Sequence, residues 1–332
     1  MSDTRYDIIG IGNAIVDIIG RCDDDFLVKH DAPKGHMRLV DADTIASLYA
    51  DMGPAIEISG GSAANTLAGV SSFGGTGAFI GKVAEDEFGK IFAHDIRAAG
   101  VDFNSKAVNG KDPTSRSLIL VTPDGERTMN TYLGISTDFD QGEVDPEAIK
   151  AAKIVYLEGY LFDHQDAKAA FRQAVEIAKS AGRKVALSLS DGFCVDRHRA
   201  DFVELIRDGI DILFANEDEI KSLYQTSDFD EAAQCTLADT DLAALTRSAK
   251  GSLVISRGEK IEIPVEPVDE VVDATGAGDL YAAGFLYGVA TGKDLATAGR
   301  LGSIAAAEVI SHMGARPEVK LGELARAKGV LA

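Results

Sequence analysis

One stretch of the chain reads Asp273-Ala274-Thr275-Gly276-Ala277-Gly278-Asp279, and the apolar run Leu280-Tyr281-Ala282-Ala283-Gly284-Phe285-Leu286 follows it directly. The pattern predicts a glycine-rich turn that leads into a buried helix. The first backbone N–H groups of a helix have no intrahelical partner and lie at the positive end of its dipole, so residues 276–278 are expected to bind an anion such as phosphate. Asp279 would then lie where a general base takes a proton from an attacking hydroxyl. The alternative is an acidic residue that only caps the helix.

Upstream of this stretch, short β-branched runs alternate with helical patterns. The runs predict buried strands, at 6–12, 78–83, 154–157, 184–189 and 210–214. Amphipathic patterns over 85–99 and 165–181 predict helices that end at Gly100 and Gly182. Such alternation indicates an α/β fold, in which a mostly parallel central sheet is covered by helices on both faces.

Two stretches, 15–40 and 113–133, break this alternation. The second contains strand-like segments on either side of the turn Pro123-Asp124-Gly125-Glu126. We expect both stretches to form a small β-sheet lid on a single domain that spans residues 1–332. Because a small sheet has an open face or edge that a second copy can cover, a monomer and a homodimer paired through the lid are both predicted as options.

The composition indicates a soluble globular protein. Of the 332 residues, 45% are hydrophobic, and the net charge is −20. Such a chain lacks the excess of Lys and Arg that neutralises nucleic acids or anionic membranes, so neither is expected as a partner. Residues 1–7 lack a signal-peptide pattern and no apolar stretch is long enough to span a bilayer, which predicts a cytoplasmic location. Three separated cysteines, Cys22, Cys194 and Cys235, predict neither a disulfide framework nor a zinc site.

The first predicted strand leads into Gly10-Ile11-Gly12-Asn13-Ala14-Ile15-Val16-Asp17. This segment offers Gly-x-Gly, but Ile15 replaces the third small residue of a dinucleotide-binding motif and the following run favours a strand over a helix. Asn13 and Asp17 instead follow a strand end, where open α/β sheets bind ligands, and an amide with a carboxylate suits a vicinal diol. Polar turn residues in contact with solvent are the alternative.

A second polar candidate lies in Gly60-Gly61-Ser62-Ala63-Ala64-Asn65-Thr66-Leu67, where a glycine pair leads into a small-residue helix. Small residues let a ligand approach the backbone. Asn65, one turn into the helix, would either hold a polyol hydroxyl or bond locally to the backbone. The residue pattern leaves both interpretations open.

The segment Asn216-Glu217-Asp218-Glu219 opens a helix after a predicted strand. Asn216 at the N-cap with Glu219 three residues later is close to a capping box. The same two side chains suit the water shell of Mg²⁺ beside nucleotide phosphates, because Mg²⁺ keeps several waters and takes few carboxylates. The two interpretations are compatible.

Two common kinds of site have no support in the sequence. The six histidines show no His-x-x-x-His or His-Glu-x-x-His spacing, so a metal hydrolase is not indicated. A Gly-x-x-x-x-Gly-Lys-Ser/Thr loop is also absent, so any nucleotide phosphate would bind at residues 276–279.

Three segments, taken in order, resemble the signatures of the ribokinase (PfkB) family of carbohydrate kinases, and within it the adenosine-kinase-like branch. Residues 60–66 resemble the first signature, 81–89 the Gly-x-Val-Gly-x-Asp-x-x-Gly motif, and 273–279 the second signature. The resemblance covers nearly the whole chain. It implies a Rossmann-like core with a β lid, and a kinase that depends on ATP and Mg²⁺.

The resemblance also implies a role for each matching residue. Asp279 would be the general base, with Gly276, Ala277 and Gly278 as the anion hole, and Arg127 of the lid would steady the transferring phosphate. Asn216 and Glu219 would hold Mg²⁺ through water. The implied acceptor-binding residues are Asn13, Asp17, Gly61, Asn65 and Tyr160, and the implied nucleotide-binding residues are Asn216, Thr246, Ser248, Gly251, Gly276 and Gly278.

Three residues depart from the family pattern. Ala84 and Ser248 stand where glycine is usual, and Ala274 stands where threonine is usual. The anion hole and Asp279 are intact. The resemblance leaves open a monovalent-cation site for K⁺ at three further positions, Asp273, Thr275 and Gly314.

The sequence therefore predicts a kinase that transfers the γ-phosphoryl group of ATP to a primary hydroxyl of a nucleoside, with adenosine as the first candidate. The alternative acceptor is a free sugar such as ribose, fructose or a keto-sugar acid, and Arg116 and Arg127 in the lid would suit an acidic sugar. A more distant alternative is a ligand sensor without catalysis on the same fold, against which Asp279 and its glycines argue.

Overall fold

The computed structural model describes residues 4–163 and 165–332. Its β-strands are, in chain order, β1 (Tyr6–Ile11), β2 (Ile15–Arg21), β3 (Met37–Leu39), β4 (Ala55–Gly60), β5 (Gly77–Ile80), β6 (Val101–Phe103), β7 (Ser115–Val121), β8 (Arg127–Tyr132), β9 (Ala152–Glu158), β10 (Lys184–Ser188), β11 (Ile212–Asn216), β12 (Leu242–Thr246), β13 (Ser252–Ser256) and β14 (Lys260–Ile263). Its α-helices are α1 (Asp24–Lys29), α2 (Ala42–Asp51), α3 (Ser62–Ser72), α4 (Glu87–Ala98), α5 (Pro146–Lys150), α6 (Gln165–Ser180), α7 (Gly192–Gly209), α8 (Glu217–Tyr224), α9 (Phe229–Asp239), α10 (Ala277–Ala290), α11 (Leu295–Val309) and α12 (Leu321–Ala327).

In the part of the chain that the structure describes, nine strands form a central sheet in the order β14-β13-β12-β11-β10-β9-β1-β5-β6. Neighbouring strands from β12 to β6 are parallel, whereas β13 and β14 add an antiparallel edge. Successive side chains of a strand point to opposite faces, so Ile8 belongs to the apolar core that includes side chains of α3, α10 and α11, while Ile9 and Ile11 belong to the core that includes side chains of α6 and α7. This architecture confirms the predicted α/β fold with helices on both faces.

A second sheet within the described residues has the order β3-β8-β7-β2-β4. Four of its strands lie in the stretches 15–40 and 113–133, as predicted for a small separate sheet. The fifth, β4, was not predicted, because its antiparallel pairing with β2 joins segments some forty residues apart along the chain. The stretch 15–40 also contains a helix, α1, which the strand prediction missed. Asp23 caps α1 by accepting a 2.8 Å hydrogen bond from the backbone N–H of Phe26.

The segment 81–89 connects the two sheets. The carboxylate of Asp86 caps α4 through the N–H of Gly89 at 2.7 Å. The same carboxylate accepts hydrogen bonds from the backbone N–H of Thr114 at 2.8 Å and from its hydroxyl at 2.7 Å. Thr114 directly precedes β7, so this motif attaches the second sheet to the core.

Helix α10 is apolar on all sides because it is buried between α3 and α11. Leu280, Phe285 and Leu286 are fully buried there. With 14 residues, α10 is shorter than the roughly 20 that cross a bilayer. None of the helices in residues 4–163 and 165–332 combines the length and the apolar character of a membrane span.

Candidate active site

A cavity of about 740 Å³ lies between the second sheet and the carboxyl ends of the central strands. Open α/β sheets bind their ligands at this position. The polar residues that line the cavity include most of those predicted from the sequence: Asn13, Asp17, Asn65, Tyr160, Asn216, Glu219, Thr246, Thr275 and Asp279. Gly61, Gly276 and Gly278 line it as well. Ala277, Ser248, Gly251, Asp273, Gly314 and Arg127 are not among the lining residues.

Asp279 lies in the first turn of α10, as the sequence predicted. Its Oδ1 accepts a 2.6 Å hydrogen bond from the hydroxyl of Ser62, and its Oδ2 accepts one of 3.1 Å from the side-chain amide of Asn65. Burial raises the pKa of this carboxyl, and the two hydrogen bonds and the charge of Arg316 lower it in part. A carboxylate with a raised pKa at a helix N-terminus is suited to accept a proton from a hydroxyl.

The turn that precedes α10 depends on Gly276. Its φ is +77°, in the left-handed region that favours glycine, and a Cβ there would lie 2.8 to 3.1 Å from atoms of Ala315. The first N–H groups of α10 have no intrahelical partner, as at every helix start, and that of Ala277 donates to the backbone oxygen of Ala274 at 3.3 Å. The N-terminus of α10 therefore provides an anion-binding turn beside Asp279.

Arg316 is partly buried next to Asn65. Its Nε donates to Oδ1 of Asn65 at 2.8 Å, and its Nη2 donates to the backbone oxygen of Ser59 at 2.6 Å. Ser59 belongs to β4, and its hydroxyl donates to Asp95 at 2.6 Å. Arg316 thus fixes the orientation of the Asn65 amide so that its nitrogen faces Asp279, and it links this amide to the second sheet.

Asn13 lies at the crossing from β1 in the core to β2 in the second sheet. Its Nδ2 donates to Oε1 of Glu158 at 2.8 Å, and its backbone N–H donates to the same oxygen at 3.1 Å. The second oxygen of Glu158 accepts a 2.8 Å hydrogen bond from the N–H of Ala63. Burial raises the pKa of Glu158 to about 7. No hydrogen bond from a described residue reaches the side-chain oxygen of Asn13, which is therefore left for a ligand.

Asp17 lies on the face of β2 that lines the cavity. Its carboxylate lies directly over Gly60, where a Cβ would approach Oδ2 to 2.2 Å. Burial raises its pKa to about 7, the charges of Arg316 and Arg127 lower it, and Asp279 raises it. A partly buried carboxylate of this kind gains from hydroxyl donors, because they replace the water that it has lost.

Gly61 joins β4 to α3 with a φ of +96°, and a Cβ there would lie 2.3 Å from the backbone oxygen of Asn13. Only glycine allows this close approach of the two segments. Tyr160 lies beyond Glu158, and burial raises its pKa well above the ordinary value.

The guanidinium of Arg127 leaves the second sheet and contacts the core. Its Nη1 is paired with the carboxylate of Asp273 and donates to the hydroxyl of Thr275 at 2.8 Å. Asp273 also accepts hydrogen bonds from the N–H of Thr275 at 3.0 Å and from the N–H of Gly314 at 2.8 Å. Three residues predicted for a monovalent cation are therefore brought together around an arginine.

Asn216 and Glu219 form a complete capping box at the start of α8. Oδ1 of Asn216 accepts from the N–H of Glu219 at 2.8 Å, and the Glu219 carboxylate accepts from the N–H and Nδ2 of Asn216 at 2.9 and 2.6 Å. Burial raises the pKa of Glu219 to about 7. Both residues also line the cavity, so their role in capping α8 is compatible with a position in the cavity wall.

The predicted nucleotide loop lies between β12 and β13. Thr246 ends β12 and lines the cavity, whereas Ser248 and Gly251 lie farther along the loop. Ser248 has a φ of +49°, so this serine adopts the left-handed conformation for which the family pattern uses glycine.

A family model of pfkB family carbohydrate kinases matches residues 57–320. The chain belongs to the PfkB family of carbohydrate kinases. As a PfkB family member it is a phosphotransferase with an alcohol group as acceptor, a sugar or nucleoside kinase. The resemblance inferred from three motifs is confirmed.

Relatives in the PfkB family are named as kinases of different acceptors, either sugars or adenosine. An uncharacterized sugar kinase of Archaeoglobus fulgidus is 31% identical over 252 residues, which cover 75% of this chain and 96% of the relative. The structure of a probable sugar kinase from Rhizobium etli CFN 42 is 48% identical with a TM-score of 0.92, and the match covers 99% of this chain and 100% of that one. The structure of adenosine kinase from Sinorhizobium meliloti is 50% identical with a TM-score of 0.91, and the match covers 98% of this chain and 99% of that one.

Three residues that line the cavity or contact its lining residues were missed by the sequence analysis: Ser62, Glu158 and Arg316. Ser62 and Glu158 had a usable signal, because Ser62 begins a helix after a glycine pair and Glu158 is an acid at the end of a buried strand. Arg316 follows Gly314-Ala315 in a segment without periodicity. Its contact with Asn65 spans 251 positions, so only the folded chain reveals it.

Proposed function

We propose that the chain is an ATP- and Mg²⁺-dependent kinase that phosphorylates a primary hydroxyl of a nucleoside, with adenosine as the preferred acceptor. The observation that carries this proposal is the shape of one cavity, in which Asp279 faces an acceptor side that combines Asn13 and Asp17 with apolar side chains. The 50% identity to the adenosine kinase from Sinorhizobium meliloti supports the same acceptor.

The acceptor side of the cavity suits a flat, apolar base. The second sheet contributes side chains from one face of β3 and β8, Met37, Leu39 and Met129, and Leu133 follows β8. Tyr160 and Phe193 also line the cavity, and Phe193 is 75% exposed. Aromatic and thioether side chains stack well on planar rings. Asp17 and the side-chain oxygen of Asn13 would accept hydrogen bonds from the ribose hydroxyls next to that base.

An acidic sugar finds less support, because neither of the two arginines proposed for it lines the cavity. The Arg116 guanidinium lies 5.1 Å from the ring centre of Phe88 and 5.9 Å from that of Tyr132. Arg127 is paired with Asp273. A neutral sugar remains the second candidate, on the strength of the probable sugar kinase from Rhizobium etli.

The chemistry would be a single in-line transfer. The acceptor hydroxyl oxygen bonds to the γ-phosphorus, the bond from that phosphorus to the β–γ bridging oxygen breaks, and ADP leaves. Asp279 takes the hydroxyl proton, and the N–H groups at Gly276, Ala277 and Gly278 stabilise the negative charge on the phosphoryl oxygens. Arg127, whose Nε and Nη2 are buried without a partner among the described residues, would donate to the same oxygens.

The side chains of Asn216 and Glu219 suit a magnesium ion that is held through water. Glu219 is buried at the cavity wall, and each of its oxygens accepts one hydrogen bond and keeps a lone pair for a bound water. No group of three or more His, Cys, Asp or Glu side chains suited to a metal occurs in the described ranges. Asn216 and Glu219 would therefore orient the waters of an ion that ATP itself brings, and the ion would supply positive charge to the phosphates.

Thr246, Ser248 and Gly251 would contact the nucleotide from the β12–β13 loop.

The second sheet is proposed as a lid that closes over the acceptor. Its cavity face carries Asp17 and its β8 strand carries Arg127, so closure would complete both the acceptor site and the phosphate site. It would also exclude water, which competes with the acceptor hydroxyl. Among the described residues, β3 has no strand on its outer side, whereas β4 is bonded at Ser59 to Asp95 and Arg316. The β3 edge keeps both a monomer and a lid-paired dimer in the proposal.

An acceptor panel tests the proposal directly. The purified chain is incubated with ATP and Mg²⁺, and ADP release is measured with adenosine, inosine, uridine, ribose, fructose and a keto-sugar acid. We expect kcat/KM for adenosine to exceed that for each free sugar by about 100-fold or more, because the base would contribute contacts that a sugar lacks. Asp279→Asn measures background hydrolysis. A sugar that outperforms adenosine would replace the nucleoside in this proposal.

A further inference from the structure

Arg127 is the first residue of β8, and its side chain forms a buried ion pair between the second sheet and the core. The side chain is 9% exposed and that of Asp273 is 2% exposed. Nη1 contacts both the Asp273 carboxylate and the Thr275 hydroxyl. A full positive charge is thereby placed among Asp273, Thr275 and Gly314.

These three residues do not fit a bound K⁺ in this arrangement. Oδ1 of Asp273 accepts from the N–H of Thr275, and Oδ2 accepts from the N–H of Gly314 and pairs with Arg127. A potassium ion needs several oxygen ligands around it, as in carbonyl-lined sites. An ion on these oxygens would lie within a few ångström of the guanidinium, and two positive charges repel strongly in a buried site.

We propose that Arg127 takes the place of a monovalent cation at Asp273, so that this kinase needs no K⁺. The positive charge is covalently attached to the second sheet and reaches Asp273 together with β8. Neutralising Asp273 matters because this carboxylate begins the glycine-rich run, and an unpaired buried carboxylate there would repel phosphate and destabilise the turn.

The guanidinium has a second edge for a ligand. Nε and Nη2 are buried and have no hydrogen-bond partner among the described residues. Unpaired buried donors are costly, and an anionic oxygen would satisfy them. Nη1 of Arg127 would thus bind the Asp273 carboxylate, while Nε and Nη2 would donate to the phosphoryl group. This second role of Arg127 rests on the proposed function.

Arg116 provides a matched control within the same sheet. It lies on β7, the strand next to β8, and its guanidinium stacks on Phe88 and Tyr132. Within the described ranges, neither a hydrogen bond nor an ion pair joins it to Asp273. Loss of the Arg116 charge changes the net charge of the chain as much as loss of the Arg127 charge, but it leaves Asp273 paired.

The experiment compares the full chain with Arg127→Gln, Arg127→Lys and Arg116→Gln in about 0.1 M KCl and in tetramethylammonium chloride of equal concentration, so that screening is constant. The first readout is the thermal unfolding temperature of the free protein, which requires no substrate. The second is ADP release with adenosine. Because the first readout is independent of the acceptor, a failure of the proposed function does not affect it.

We expect the unfolding temperature of the wild type, Arg127→Lys and Arg116→Gln to agree within about 1 °C between the two salts. Arg127→Gln should be stabilised by K⁺ by about 2 °C or more, because an anionic site without its arginine gains a ligand. Wild-type ADP release should change less than about twofold. Stabilisation or stimulation of the wild type by K⁺ would overturn the proposal, and so would an Arg127→Gln variant that does not respond to K⁺.

Discussion

The hydroxyl of Ser62 donates a 2.6 Å hydrogen bond to Oδ1 of Asp279, so the first residue of α3 contacts the first turn of α10. One turn along α3, the hydroxyl of Thr66 donates to the backbone oxygen of Asp279 at 3.1 Å. The N-termini of two helices therefore meet at one carboxylate. The positive ends of both dipoles favour an anion there, and the carboxylate is held in one orientation.

Replacing Asp279 with Asn removes the proton acceptor and keeps the shape of the side chain. We expect kcat to fall by about 10²-fold or more, with the KM for ATP nearly unchanged, because a general base contributes about that factor. Steady-state ADP release measures both constants, and thermal unfolding checks the fold. Turnover close to the wild-type value would rule out Asp279 as the base.

Removing the Ser62 hydroxyl should change the pH dependence of catalysis. The hydrogen bond from Ser62 lowers the pKa of Asp279, so in Ser62→Ala this pKa rises and the base is protonated up to a higher pH. The acidic limb of the kcat/KM profile should move up by about one pH unit, since one hydrogen bond is worth about that much. Thr66→Val is the control, because Thr66 contacts the backbone oxygen and not the carboxylate. Equal acidic limbs in the wild type and Ser62→Ala would contradict the assigned contact.

Asp17 is expected to bind the acceptor in its ionised form. Its pKa is raised to about 7 by burial, so the KM for adenosine should fall as the pH rises from 6 to 8. Asp17→Asn should raise this KM by about 10-fold or more and remove its pH dependence, while the KM for ATP is unchanged. 2′-Deoxyadenosine should be a much poorer substrate, because a site built for a hydroxyl rejects its absence. Equal efficiency with adenosine and 2′-deoxyadenosine would count against the diol contact.

Glu158 should make the free protein less stable as the pH rises. Its pKa is about 7 in the folded chain and 4.5 in the unfolded reference, so the folded state binds the extra proton between these values. The resulting stability is fully present below pH 4.5 and is lost as the pH rises through 7. Denaturant unfolding at several pH values should show a shallower decline for Glu158→Gln. The exposed Glu147, changed to Gln, is the control. An identical decline in all three proteins would contradict the buried protonated state.

Lid closure predicts that adenosine protects backbone amides in the second sheet. Hydrogen exchange at 15–21 and 115–132 should slow by about 10-fold or more when adenosine binds, because ordering the sheet over a ligand suppresses local opening. The antiparallel edge at 252–263 serves as an internal control, since it lies at the far side of the central sheet. Unchanged exchange in the second sheet with adenosine bound would show that it does not act as a lid.

The sequence by itself determined the parts of this protein that depend on neighbours along the chain. Alternating strand and helix patterns predicted the parallel sheet, because burial periodicity is a local property. Residues 273–279 predicted the anion-binding turn and Asp279, because a glycine turn and the helix that follows it are adjacent in sequence. The capping box of Asn216 and Glu219 is equally local.

Only the tertiary structure decided which distant residues complete the site. Ser62 meets Asp279 across 217 positions, Asn13 meets Glu158 across 145, and Arg127 meets Asp273 across 146. The place of β4 in the second sheet is likewise set by its pairing with β2. Such contacts follow from the packing of whole elements, which composition and periodicity do not encode. The raised pKa values of Asp17, Glu158 and Asp279 have the same origin, because burial is a property of the folded chain.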